Sequence, residues 1–166
     1  MKRKQRRILQ AVIATVGAAI GLVLWLGGLG YLRGVRELRL PRTSLLATTM
    51  PEPDYLDSYH VAVRTTAFGG IEDLRTAAFQ KGEEIARSRW EVVYAGSSPG
   101  LDYNVSYILE GGLPATGLRV STAVKYRSGI GRLYFAIVRP FHRRLTPFML
   151  SRMARWHSEE KSQVGG

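Results

Sequence analysis

The chain contains no cysteine, and that absence removes disulfides, thiolate zinc sites and cysteine nucleophiles together. It says nothing about compartment, because reducing and oxidising surroundings both tolerate a cysteine-free domain. Histidine is scarce. His60, His142 and His157 stand far apart with no H-x-x-x-H pair, so no metal site is expected, and no motif calls for a cofactor. Acid is missing over one long stretch. From Gly111 to Ser158 there is no Asp or Glu, while Arg119, Lys125, Arg127, Arg132, Arg139, Arg143, Arg144, Arg152 and Arg155 all fall inside it. The chain has 24 Lys+Arg against 13 Asp+Glu, a formal charge of +11, so its C-terminal half presents a basic surface. Such a surface suits an anionic membrane, a nucleic acid or an acidic partner protein. No nucleic-acid motif accompanies it, so no nucleic-acid partner is expected.

What the N-terminus does have is an uncharged run. Lys2, Arg3, Lys4, Arg6 and Arg7 form a basic flank (residues 1–7) before residues 8–32, which carry no charge. At about 1.5 Å per residue that run is long enough to cross a hydrocarbon core of about 30 Å. It ends in GGLGYLRG without a small-x-small cleavage site, so the expectation is an uncleaved, single-pass transmembrane helix in contact with membrane lipids. Arg33, Arg36, Arg39 and Arg42 follow it. Five basic residues before the span against four after favour an extracytoplasmic domain, by that margin of one. Gly17 and Gly21 have GxxxG spacing, which permits close approach of two helices and so a helix dimer. The frequency of glycine in membrane helices is the plainer account of the pair.

Residues 33–53 read as a juxtamembrane linker with a short helix near 35–40, and residues 54–157 as the folded domain. Alternation around HVAVRT predicts a strand over residues 55–65. Helical spacing and early acids in IEDLRTAAFQKGEEIARS predict a helix after Gly69-Gly70. Strands are expected around residues 90–95, 102–110 and 118–127, punctuated by SSPG and GGLPATG as antiparallel meanders are. Residues 158–166 have little to bury and read as a disordered tail. The fold class is therefore α+β: a small antiparallel sheet, one medium helix and a long kinked C-terminal helix.

The stretch GRLYFAIVRPFHRRLTPFML, residues 131–150, carries the densest chemistry. Tyr134, Val138, Phe141, Leu145, Phe148 and Met149 recur at three- and four-residue steps, with Leu133 and Ile137 widening the stripe, so this face is expected to pack on the sheet. Pro140 predicts a kink or break near residues 137–139, and Pro147 a second irregularity. His142 is the natural candidate for a general acid or base, but it needs a carboxylate to orient it. Asp57 and Asp102 are the leading options, and a structural hydrogen bond is the favoured role over catalysis. The GSSPG run, residues 96–100, matches G-x-S-x-G only formally. Pro99 lacks the N–H that the oxyanion hole requires, and a strand follows it, so the run is a turn and no catalytic residue is assigned. Asn104 lies in a glycosylation sequon inside a strand pattern.

The run STAVKYRSGIGRLYFAIVRPFHRRLTPFMLSRM resembles the C-terminal signature of the bacterial domain of unknown function 2867 family, in which a T-x-V strand leads into G-R-x-Y and then P-F-H. DYLDSYHV and EVVYAGSSPGLDYNVSYIL are similar to its domain start and its paired strands. Gly100 departs from it, standing where a histidine often precedes the L-D pair. The resemblance implies a small α+β domain of helix-grip kind, and no established activity comes with it.

Three functions are open to such a chain. The first is a non-enzymatic, membrane-anchored domain that holds a lipid or small apolar or anionic ligand between sheet and helix, with Tyr134, Arg139, Phe141, His142 and Arg143 as ligand-binding residues; this needs a cavity of about 300 Å³ or more. The second sets the basic face, including Arg152, Arg155 and Trp156, against an anionic membrane surface or an acidic protein. The third is an enzyme using His142, marked by a carboxylate within about 3 Å of it at the base of an open cleft.

Overall fold

Six strands join in one antiparallel sheet, and its central strands are buried on both faces. The computed structural model describes residues 21, 34–63, 68–77 and 82–164, with the backbone alone for 75–77 and 156–164. The elements are β1 (Val35–Glu37), α1 (Leu45–Thr49), β2 (Tyr55–Ala62), α2 (Ile71–Ala77), β3 (Glu83–Arg87), β4 (Glu91–Ser98), β5 (Leu101–Glu110), β6 (Gly117–Tyr126) and α3 (Gly129–Val164). The sheet order is β1-β2-β6-β5-β4-β3. After β2 the chain crosses to the far edge through α2 and returns by hairpins until β6 lies against β2. The expected membrane span, residues 8–32 with Gly17, lies outside the described residues apart from Gly21. Among the described residues no helix is long and apolar enough to cross a membrane.

The two faces of the sheet are built from different chemistry. On one, Tyr59, Val61, Val92, Val105, Tyr107, Leu109, Leu118 and Val120 form the main core with Leu150, Met153 and Ala154 of α3. Burial of side chains of this size is worth about 1.5–3 kcal/mol each, so this face holds the helix down. On the other lie Ser58, Ser106, Ser121, Asn104, Arg119 and Glu91, all buried. That face tolerates burial because its groups bond one another. The Glu91 carboxylate accepts from Ser44 Oγ at 2.6 Å, from the Leu45 and Leu46 N–H groups at 2.8 and 3.2 Å, and from Ser106 Oγ at 2.5 Å.

That cluster corrects the linker reading of residues 33–53. Val35–Glu37 is a strand rather than a short helix, since three residues gain a ladder with β2. Its continuation is bound into the domain: Leu46 is fully buried, and Glu91 satisfies N–H groups at the start of α1 that a free helix end leaves unpaired. A second correction concerns the helix predicted after Gly70, which ends at Ala77. The EEIAR segment beyond it is the edge strand β3, with a register shift between Glu84 and Ala86. Pairing with β4 overrides helix propensity there. Gly82 admits that pairing, because a Cβ on it would come within 2.6 Å of the Ala95 carbonyl oxygen.

The third correction is to α3. Ser128 begins it, its Oγ accepting from the Gly131 N–H at 3.3 Å, and the helix runs unbroken through Pro140 and Pro147. Among the residues that meet the sheet are Gly131, Phe135, His142, Leu150, Met153 and Ala154, whereas Leu133, Tyr134, Ile137 and Leu145 are exposed. Part of the expected stripe therefore points outward. Its rotation is set partly at Gly131, where a Cβ would run into the Gly100 carbonyl. Gly100, at φ +79°, completes the Pro99-Gly100 turn between β4 and β5.

Candidate functional site

Alternation in β2 sets Tyr55, Asp57 and Tyr59 on the α3 side of the sheet. Asp57 is buried. The Tyr55 hydroxyl donates to its Oδ2 at 2.7 Å, and His142 Nε2 lies 3.2 Å from the same oxygen and 3.3 Å from Oδ1. Phe135 packs beside them, its ring centroid 4.8 Å from that of Tyr55. The Arg139 guanidinium sits 5.1 Å from the centre of the Tyr55 ring, within cation–π range. One helical turn further, Arg143 donates to the Glu37 carboxylate of β1 at 3.0 Å. These contacts form a polar seam joining the first half of α3 to the β1–β2 edge.

Electrostatics hold the tyrosines neutral. Burial, then the hydrogen bond to Asp57, pushes the Tyr55 phenol well above its ordinary range. Burial and the neighbouring Asp57 charge push Tyr59 up to about 12, against the opposing pull of Arg143. Among the described residues, the Tyr59 hydroxyl is buried without a well-aligned partner. Arg143 is in turn held more firmly protonated by Tyr59 and Glu37.

Of the five anticipated ligand residues, the structure brings Arg139, His142 and Arg143 together. Tyr134 faces outward and Phe141 is half-buried. Of the two carboxylates proposed for His142, Asp57 takes the place; Asp102 lies 3.4 Å from Arg127 instead. Tyr55, Tyr59 and Glu37 were not anticipated as members. A signal for the tyrosines was present in DYLDSYHV, whose period of two places an acid between two tyrosines on one face.

The His142–Asp57 pair has the carboxylate an acid–base residue needs, and the His142 side chain is partly exposed. Thr146 Oγ1 lies 3.4 Å from Nδ1 and 3.5 Å from Nε2, a side-on approach aligned with neither. Thr146 also borders the internal void between α3 and the sheet, lined by Val105, Tyr107, Val120, Thr122, Met149, Leu150 and Met153, which holds about 50 Å³. That void is too small for a substrate, and neither His142 nor Asp57 lines it. The geometry supports a latch that orients the helix.

Two other features are open to solvent. Ile130, Leu133 and Ile137, at helical steps of three and four, are 73%, 66% and 57% exposed, and Tyr134 and Leu145 extend the same apolar surface. A cleft of about 630 Å³ lies at the β1–β2 edge, lined by Glu37, Leu38, Arg39, Leu40, Leu56, Asp57 and Ser58. Asn104, the sequon residue, is buried, and its Nδ2 donates to Thr49 Oγ1 at 3.3 Å.

A six-stranded antiparallel sheet with a long C-terminal helix on one face and a polar seam between them defines an α+β domain. The model of the family described as Protein of unknown function (DUF2867) matches residues 79–149, from before β3 to the middle of α3. Among curated proteins, none matches the chain.

Proposed function

We propose that the chain is a non-enzymatic, membrane-anchored module that seats the first half of α3 on an anionic bilayer surface, with residues 8–32 as the anchor. The observation that carries this reading is the exposed stripe of Ile130, Leu133 and Ile137 within an acid-free segment, with the exposed Arg144 two helical turns beyond Ile137 on the same side. Apolar side chains beside arginines on one helix are what an interfacial helix uses: the first enter the acyl boundary and the second meet lipid phosphates. A helix-grip arrangement, with the curved sheet around α3, is the finer architecture this reading adopts. An apolar ligand enclosed between sheet and helix has less support, since the void described there holds about 50 Å³ and small-molecule sites begin near 300 Å³.

The cysteine-free chain makes the test clean. A Leu133→Cys variant of the full-length protein, labelled with an environment-sensitive fluorophore, is placed in nanodiscs of phosphatidylcholine alone or with phosphatidylglycerol. The expected result is a blue shift and quenching by lipid-phase quenchers in the anionic discs, reversed by salt at about 1 M, where the Debye length falls to about 3 Å. An identical spectrum in both discs overturns the proposal.

A further inference from the structure

The geometry points to the β1–β2 edge cleft as a site for one acyl chain of an anionic phospholipid, distinct from the α3 surface. Leucines dominate the apolar part of its lining: Leu38 and Leu56 are 41% and 42% exposed, and Leu40 packs on the cluster of Leu46, Val93 and Ala123. Two exposed leucines lining one concavity are an apolar surface that an acyl chain would remove from water. Its volume, about 630 Å³, falls in the range that holds a ligand of several hundred daltons.

The wall is built rather than draped. The Leu38 N–H donates to the Ser58 carbonyl at 2.9 Å, Arg119 Nη1 donates to the Arg39 carbonyl at 2.8 Å, and the Ser44 N–H donates to the Pro41 carbonyl at 3.1 Å. Arg119 is itself buried and held by Glu110 at 2.6 Å, so the segment carrying Leu38 to Leu40 is fixed before any ligand arrives. Preformed walls lower the ordering cost of binding.

Charge names the head group. Residues 33–42 hold Arg33, Arg36, Arg39 and Arg42 against the single acid Glu37, and Glu37 already accepts from Arg143. Arg39 lines the cleft and is exposed, as are Arg36 and Arg42 in the same segment, a basic run that suits a phosphate. These residues also follow the expected span directly in sequence, so a bilayer phospholipid is the occupant to which the proposal commits.

The test is photocrosslinking of the full-length chain in nanodiscs, using phosphatidylglycerol with a diazirine near the end of one acyl chain, and peptide mapping of the adducts. Adducts are expected on residues 37–40 and 56–58. Leu56→Trp, a change at an exposed position that fills the cleft, should reduce them by at least about fivefold, equivalent to about 1 kcal/mol, while leaving adducts on residues 130–145 unchanged. A second variant, Leu38→Gln, should act in the same direction, and a thermal melt checks that both remain folded. Adducts on residues 130–145 alone overturn the cleft and leave α3 docking standing. Their absence from both regions overturns both proposals. Labelling of the cleft by a diazirine fatty acid but not by the phospholipid overturns the phospholipid as occupant.

Discussion

The two halves of α3 lie on the same sheet and are held in opposite ways. From Pro147 to Ala154 the buried residues are apolar apart from Ser151, with Leu150 and Met153 in the main core. From Gly129 to Thr146 the attachment is polar and aromatic, through His142 on Asp57, Arg143 on Glu37 and Phe135 among tyrosines, while the most apolar side chains face away. The contrast teaches that a helix can be fixed without using up its apolar face. Where ion pairs and hydrogen bonds set the rotation, leucines and isoleucines are left for another surface.

Leu150→Ala attacks the hydrocarbon half and should have the largest effect, a loss of about 2–5 kcal/mol of stability read from chemical denaturation. If it matched a surface mutation instead, the apolar half would not be the part that holds the helix. Asp57→Ala strikes the polar half by leaving the Tyr55 hydroxyl and His142 without their acceptor, and should cost about 1–3 kcal/mol. An undiminished melting temperature would show the seam to be incidental. The smallest effect belongs to Tyr59. Its phenol is held neutral up to about pH 12 in the fold, whereas the unfolded chain releases that proton near pH 10. The unfolded state therefore binds fewer protons between those values, and stability falls as pH rises through the window. Tyr59→Phe should make the fall shallower, by up to about one proton; an unchanged slope would place the alkaline sensitivity elsewhere.

Much of the frame was legible in the sequence. Period-two alternation and Gly/Pro turns located β2, β4, β5 and β6, because those strands alternate or are bounded by residues that suit few other conformations. The EEIAR segment was not legible as a strand: its residues favour a helix, and only its partner β4 makes it extended. Nor was residues 33–53 as a bound segment, since the carboxylate that ties it down, Glu91, is 46 residues away from Leu45.

The candidate site divides the same way. The resemblance, the acid-free basic stretch and the importance of His142 all came from local order. Asp57 was named only as one of two options, because nothing in one dimension says which carboxylate a histidine 85 residues later will meet.

The sequence by itself determined the composition of the helix: which residues could lie at three- and four-residue steps, and that arginines but no acids would stand among them. Only the tertiary structure decided which of those residues would be buried. Helical periodicity defines a set of faces and leaves the rotation free, and that rotation was chosen by contacts distant in the chain, Gly131 against Gly100 and His142 against Asp57.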